Sequence, residues 1–383
     1  MRIVQADKLV RVDTGFFIPY NRYVVSDFEC DQLIEATPNT HWRWSSFNAL
    51  ERRYGGQDLS GKKVCVYRHT AWGDQLIVSA VPAELKRRYP DATIHLFCHR
   101  DVMSLWAGNP YVNGTAIPLP INLDATRFYD YVIFYEGILE SNREVDQKNC
   151  YDDMFEMIGL TDVPDHAKRP SIFPLPEDYS NVEKIKFNVR RPYILYHMSP
   201  ANLNRRYPPD LSRKLLWLLA KKYRDHAICV VGVDEKHEYD GALSRLPSNC
   251  ENWLSKTGSF RNMLPIVENA KALVCPDSSL MHLAACYPTV PVVSLWGLFD
   301  PQDRIKYYPN SYPITGFEAC PHAPCRDHNF FLPTEQCKDA KGAVKERADI
   351  KHCLALTGIT PERIVETVEK AICALSTGAQ AKP

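Results

Sequence analysis

Asp277-Ser278-Ser279 stands between a short apolar run, Ala272–Cys275, and residues Leu280, Leu283 and Ala284, which recur at helical spacing. A strand that turns through Asp and Ser straight into a helix aims that helix's first, unbonded N–H groups above the sheet edge. Such a turn suits an anion, most naturally phosphate, although in most α/β proteins the same unit only packs. With the run Val290–Leu295, closed by Gly297, the stretch from Ala270 to Phe299 reads as strand, turn, helix, strand. Two further sets of reactive residues lie upstream. Asn204-Arg205-Arg206-Tyr207-Pro208 follows the run Tyr193–His197. There Arg205 could hold phosphate bidentately or merely decorate a solvated turn. Arg68-His69-Thr70-Ala71-Trp72-Gly73-Asp74 follows the strand Val64–Tyr67 and opens a helix with Leu76, Ile77, Ala80, Val81 and Leu85 on its apolar side. Asp74, at the carboxyl edge of a parallel sheet, suits a general base; its plainer reading is a helix N-cap.

These residues need two sets of elements to position them. Strands at Val64–Tyr67, Thr93–Phe97 and Tyr131–Tyr135 alternate with helical segments, which implies a parallel βαβ sheet. Pro82 falls inside the helix after Asp74 and should kink or shorten it. The second set is Tyr193–His197, the amphipathic helix Leu211–Tyr223 and the strand Ala227–Val231. That last strand ends in Gly232-Val233-Asp234-Glu235, where an acidic side chain, Glu235, is placed to hold ribose hydroxyls. Residues Val163 to Pro192, rich in Pro and charge, read as the linker between the two sets. At the end of the chain, Thr360-Pro361 starts a helix with Ile364, Val365, Val368, Ala371 and Ile372 on one face.

Residues 1–60 form an N-terminal extension. Leu9–Val12 and Arg22–Val25 suggest a hairpin or strand pair, and Asp27–Ala36 a capped helix. His41-Trp42-Arg43-Trp44 could stack on sugars or bases, or simply pin the extension to the domain behind it. Gly56 and Gly61-Lys62 imitate a phosphate-binding loop, but Lys63 replaces the Ser or Thr and the loop precedes a strand, so this reading is rejected.

Asp277-Ser278-Ser279-Leu280-Met281-His282-Leu283-Ala284-Ala285 resembles the D-[ST]-G-x-x-H-x-A-A motif of the heptosyltransferase family, with Ser279 in place of the usual Gly. Arg68, Gly73 and Asp74 resemble its R-x-x-x-x-G-D motif. Ser199 and Arg205-Arg206-Tyr207-Pro208 resemble its loop with a small hydroxyl residue followed by K-x-W-P, and Gly297 to Pro301 resembles its G-x-x-D-P. The resemblance covers roughly residues 62–372, with the motifs in the family's order. It implies inverting glycosyltransferases of GT-B fold, two Rossmann-like α/β domains facing a cleft. On this basis Asp74 is the expected base, with Arg68 and Gly73 on the acceptor side. Ser199, Arg205, Glu235, Asp277, Ser278, Ser279, Leu280, Met281 and His282 are expected around a nucleotide-sugar donor. The expected domains are 1–60, 61–185 and 192–377. A saccharide or glycolipid would be the acceptor, and the nucleotide-sugar is a substrate, so no cofactor is expected. No Asp-x-Asp motif is present, and no metal is expected at the transfer step.

The whole chain bounds these readings. Its 383 residues suffice for two cores. Lys+Arg and Asp+Glu are 46 each, so no global basic footprint favours nucleic acid. A transferase acting on a hydroxylated DNA base and a non-catalytic nucleotide-sugar-binding module remain the alternatives. No run of about 18 apolar residues occurs, and a cytoplasmic protein is expected. Of the 13 Cys, those within apolar runs (Cys65, Cys98, Cys229, Cys275, Cys286) read as small core residues. Cys320, Cys325, Cys337 and Cys353, with His322, His328 and His352 interleaved, are spaced more loosely than a zinc knuckle, and no metal is assigned to them.

Overall fold

The computed structural model describes residues 2–12, 15–17, 19–25, 27–46, 52–68, 71–116, 121–122, 125–135, 148–187, 189–200, 203–234, 239–325, 336–338, 344–346 and 352–376. The chain divides into two compact units, Met1–Phe173 and Pro174–Pro383.

The first unit opens with β1 (Arg2–Ala6), β2 (Val10–Val12), β3 (Gly15–Phe17), β4 (Arg22–Val25), α1 (Asp27–Ala36) and β5 (Trp42–Ser46). The expected strands form, but they do not pair with each other. β2 pairs with β3, which begins three positions after β2 ends, and β4 pairs antiparallel with β1. The antiparallel sheet runs β5–β1–β4–β9, where β9 is Ile121–Asn122. Trp42 packs edge-on against Phe17, centroids 5.3 Å apart, and its Nε1 donates to Thr37 Oγ1 at 2.9 Å. It therefore packs within the extension's own small core, among Val4, Ala6 and Phe17. Trp44 stays 59% exposed, with the Arg2 guanidinium 4.9 Å from its ring centroid.

The same unit continues with β6 (Lys63–Tyr67), α2 (Trp72–Val78), α3 (Ala80–Arg88), β7 (Thr93–Phe97), β8 (Gly114–Ala116), β10 (Tyr131–Phe134) and α4 (Cys150–Met157). The second sheet is parallel throughout, in the order β10–β6–β7–β8. Its strand order reverses between β6 and β10, so the crevice of a doubly wound sheet lies beyond their carboxyl ends. Pro82 acts as expected. The helix breaks at Ser79, between α2 and α3, because proline offers no N–H to the carbonyl four residues back and its ring crowds that carbonyl.

The second unit begins with α5 (Pro176–Lys184), inside the stretch expected to be a linker. The Asp178 carboxylate accepts from Leu175 N–H at 2.7 Å, the reach-back half of a capping box, and takes a 2.8 Å bond from Arg261 Nε. Proline and charge mark a capped helix start here. β11 (Tyr193–Ser199), α6 (Pro209–Lys222), β12 (Ala227–Gly232), β13 (Cys250–Asn252), β14 (Ala272–Pro276), α7 (Ser279–Ala285), β15 (Val292–Trp296), α8 (Gln302–Ile305), β16 (Ser311–Thr315) and α9 (Pro361–Ser376) follow. A separate antiparallel pair joins β17 (Gln336–Lys338) to β18 (Val344–Glu346).

The main sheet of this unit runs β13–β12–β11–β14–β15–β16 and is parallel throughout. Counted along the unit, that is the order 3-2-1-4-5-6 of a dinucleotide-binding fold, with its switch between β11 and β14. β11, β14 and β15 are buried at every residue, which explains why they read as unbroken apolar runs rather than alternating ones. Leu215, Leu216 and Leu219 of α6 and Ile364, Val368 and Ala371 of α9 close the core over the sheet. Among the described residues no helix is long and apolar enough to cross a membrane.

Candidate active site

In the second unit, the loops after β11 and β14 meet at the switch point. The hydroxyl of Ser199, at the end of β11, accepts from the Val233 N–H at 2.8 Å, tying it to the end of β12. Arg205, six residues on, lies 3.3 Å through Nη1 from Asp277 Oδ2, the first residue after β14. With Trp296, Gly297, Phe299 and Leu356 they line one small pocket. The Arg205 guanidinium sits 5.5 Å from the Phe299 ring centroid, and Arg304 of α8 lies 5.0 Å from the same centroid. Gly297 is required by space: a Cβ there would sit 2.9 Å from both Cys353 Sγ and Leu356 Cγ.

Ser278 is the N-cap of α7 by position, but its side chain caps nothing in the helix. Its hydroxyl lies 3.0 Å from His197 Nδ1, on the other side of the switch point. Ser279 is half-buried at the first helical position and is absent from the positive-φ residues, so Ser stands in the Gly place of the motif without backbone strain. Leu280, Met281 and His282 are buried. The Met281 N–H is engaged by the Ser278 carbonyl at 3.1 Å, and His282 Nδ1 lies 2.6 Å from the Tyr308 hydroxyl. Glu235 lies outside the described residues; its neighbour Asp234 accepts from the Tyr239 N–H at 3.1 Å.

In the first unit, Arg68 is buried just after β6. Its Nη1 donates to the Tyr135 carbonyl at 3.1 Å, just beyond β10, and its Nη2 donates to Asp74 Oδ2. The Arg68 carbonyl accepts from Gln75 Nε2 at 2.7 Å, and Gln75 Oε1 accepts from Trp106 Nε1 at 2.8 Å. Asp74 is held at the switch point of its own sheet by a guanidinium that a buried hydrogen bond to the Tyr135 carbonyl fixes, while Gln75 and Trp106 secure the Arg68 backbone. Capping does not account for it. Ala71 is the N-cap of α2, at φ 62°, and Asp74 sits in the first turn with Gly73 before it, both half-buried.

His197, Gln75 and Trp106 are not among the residues expected from the sequence. A polar side chain inside or beside an otherwise apolar strand or helix is the available signal, since a buried polar group needs a partner. Burial of His197 drops its ring to about 4, so it is neutral at neutral pH. The cysteines whose side chains are described, which leaves out Cys337, are free thiols. Cys65, Cys98, Cys229 and Cys275 are buried as expected, and burial pushes the first three up to about 12.

Residues 148–332 match the sequence model of glycosyltransferase family 9 (heptosyltransferase). Among solved structures, Escherichia coli ADP-heptose LPS heptosyltransferase II is 17% identical with a TM-score of 0.59, over 82% of this chain and 99% of that one. The glycosyltransferase family 9 protein of Veillonella parvula DSM 2008 is 13% identical with a TM-score of 0.59, over 83% and 99%. TibC, a dodecameric iron-containing glycosyltransferase of enterotoxigenic E. coli H10407, is 12% identical with a TM-score of 0.57, over 98% and 92%. No curated protein matches the sequence. The structures bear on the fold, and the sequence match likens residues 148–332 to glycosyltransferase family 9: the chain is a heptosyltransferase-like glycosyltransferase of GT-B fold.

Proposed function

We propose that the protein transfers a sugar, with inversion, from a nucleotide-sugar to a hydroxyl of a saccharide or glycolipid. The observation that carries this is the meeting of Ser199, Arg205, Asp277 and Ser278 at the switch point of a 3-2-1-4-5-6 sheet, where such folds take a nucleotide. The donor we favour is ADP-heptose, the substrate in the name of heptosyltransferase II. Arg205 already pairs with Asp277, but a guanidinium carries five donors and can serve a diphosphate at the same time. In the reaction, Asp74 takes the proton of the acceptor hydroxyl. The oxygen attacks the anomeric carbon, the bond to the diphosphate breaks, and charge grows on the leaving nucleotide. Arg205 and backbone amides at the Asp277–Ser279 turn meet that charge, being organised before it appears. The free thiols support a cytoplasmic setting.

TibC is iron-containing, which raises the question of the cysteines. Cys320 and Cys325 bear electrostatically on Cys353, whose thiol burial pushes up to about 12. Soft thiols are the right donors for iron or zinc. Among the described residues, however, no group of three His, Cys, Asp or Glu side chains is placed to hold a metal ion. The thiols supply fitting donor chemistry, and the transfer step itself is assigned to Asp74, Arg205 and the amides of the Asp277–Ser279 turn.

A panel of ADP-, UDP- and GDP-sugars, read by thermal shift, tests the donor class, because a bound donor raises the melting temperature by mass action. Arg205→Ala should weaken binding of the best donor by about 1.5–3 kcal/mol, the scale of a charged hydrogen bond. Calorimetry on chelator-treated protein should give the wild-type affinity. Equal donor affinity with and without Arg205 would remove it from the site, and no shift with any nucleotide-sugar would remove the donor reading.

A further inference from the structure

His197 and Ser278 are 81 residues apart and face each other across the switch point, Nδ1 to Oγ at 3.0 Å. An N-cap serine normally turns its hydroxyl onto its own helix. Ser278 does not; its oxygen faces the histidine and also meets the Cys275 thiol. The imidazole is wedged in place. Gly232, at φ 133°, packs so closely that a Cβ there would collide with Ser199 Oγ and lie 3.0 Å from His197 Cδ2 and 3.3 Å from Nε2. The ring also hydrogen-bonds to the Ser199 backbone. His197 therefore touches both of the hydroxyl residues assigned to the donor.

We propose that His197 is a positioning residue whose Nδ1–H donates to Ser278 Oγ, leaving the serine proton to be donated to a diphosphate oxygen. This rests on the donor reading above. The polarity of the bond matters, because with a bare Nδ1 the serine would spend its one proton on the ring. The alternative role, a cation neutralising the diphosphate, is disfavoured by burial: the ring's drop to about 4 leaves it uncharged where Arg205 is charged. Its contribution is direction rather than charge.

The test is a double-mutant cycle on the full chain, read as the dissociation constant for ADP-heptose by calorimetry. His197→Phe keeps a ring and loses the donor; His197→Asn returns an N–H near the Nδ1 place. In the presence of Ser278, H197F should weaken binding about three- to tenfold, the worth of one neutral hydrogen bond, with H197N recovering most of it. In the Ser278→Ala background H197F should change binding by less than about twofold. The same loss with and without Ser278, or an H197N no better than H197F, would overturn the proposal and leave His197 a packing residue. Urea unfolding of each variant separates a folding defect from a binding one, and the S278A arm reads the coupling even if H197F is less stable. Absence of ADP-heptose binding to the wild type, while another nucleotide-sugar binds, moves the cycle to that donor. Absence of binding to any overturns the donor reading and this inference with it.

Discussion

Asp74 is the base in the proposed reaction, and the structure changes what its substitution means. Ala71 caps α2, so an Asp-to-Asn change at 74 removes no cap. It removes the charge opposite buried Arg68 while keeping an acceptor for Nη2. A group that takes a proton only as the new bond forms acts on the transition state and little on ground-state binding. Asp74→Asn should cut turnover about 10²–10⁴-fold with donor affinity unchanged. Some stability should be lost as well, about 1–3 kcal/mol, because Arg68 keeps its hydrogen bond but not its counter-charge. Turnover at saturating donor and donor affinity, measured on the same preparation, decide the matter. Near-normal turnover would leave Asp74 an anchor for Arg68 and the chain without a named base.

At the scale of elements, both sites stand on the carboxyl ends of strands, where neighbouring loops crowd against one another. The end of β12 is the tightest case. Gly232 needs a φ that only glycine takes easily, and its missing Cβ makes room for Ser199 and His197 at once. Gly232→Ala should cost about 2–4 kcal/mol, backbone strain and overpacking together, and should weaken donor binding by displacing Ser199. Urea midpoints and donor calorimetry check the two effects separately. A stable variant with normal donor affinity would mean that the loop after β12 yields without moving the site. α5 shows the reverse situation, a helix in a stretch whose composition suggested a linker. Leu175-Pro176-Glu177-Asp178 starts it, and Arg261, distant in sequence, secures it.

For the molecule as a whole, both units carry groups that make acid unfavourable. In the first, burial alone would raise the Glu84 carboxyl, but hydrogen bonds from Arg87 and Arg88 outweigh it and hold the group low. In the second, burial holds His197 at about 4 against an ordinary 6.5. Each native value lies below the unfolded one, so the unfolded chain binds more protons and stability falls with pH. For His197 the loss begins below about 6.5 and is complete near 4, about 3 kcal/mol in all. Urea unfolding at pH 7.5 and 4.5 should show that fall, and H197N should flatten it. An equal pH dependence in wild type and variant would mean that the His197 ring is hydrated enough to protonate in the folded protein.

Much of this protein was legible from its order of residues. The strands at 64–67, 93–97, 193–197, 227–231 and 272–275 and the helices after Asp277, around Leu211 to Lys222 and from Pro361 formed where apolar period and turn chemistry placed them. Those signals are local, set by one residue's relation to its neighbours two to four positions away. The turn at Asp277–Ser279 and the break before Pro82 are local in the same sense. Tertiary structure decided what pairs across the chain. It chose β3 over β4 as the partner of β2, and Arg261 as the partner of Asp178. It set Arg68 against Tyr135, Arg205 against Asp277 and His197 against Ser278. Strand order creates these meetings: a switch point brings the ends of the first and fourth strands together, however many residues separate them. No periodicity records that order, and a buried hydrogen bond chooses its partner only once packing has excluded water.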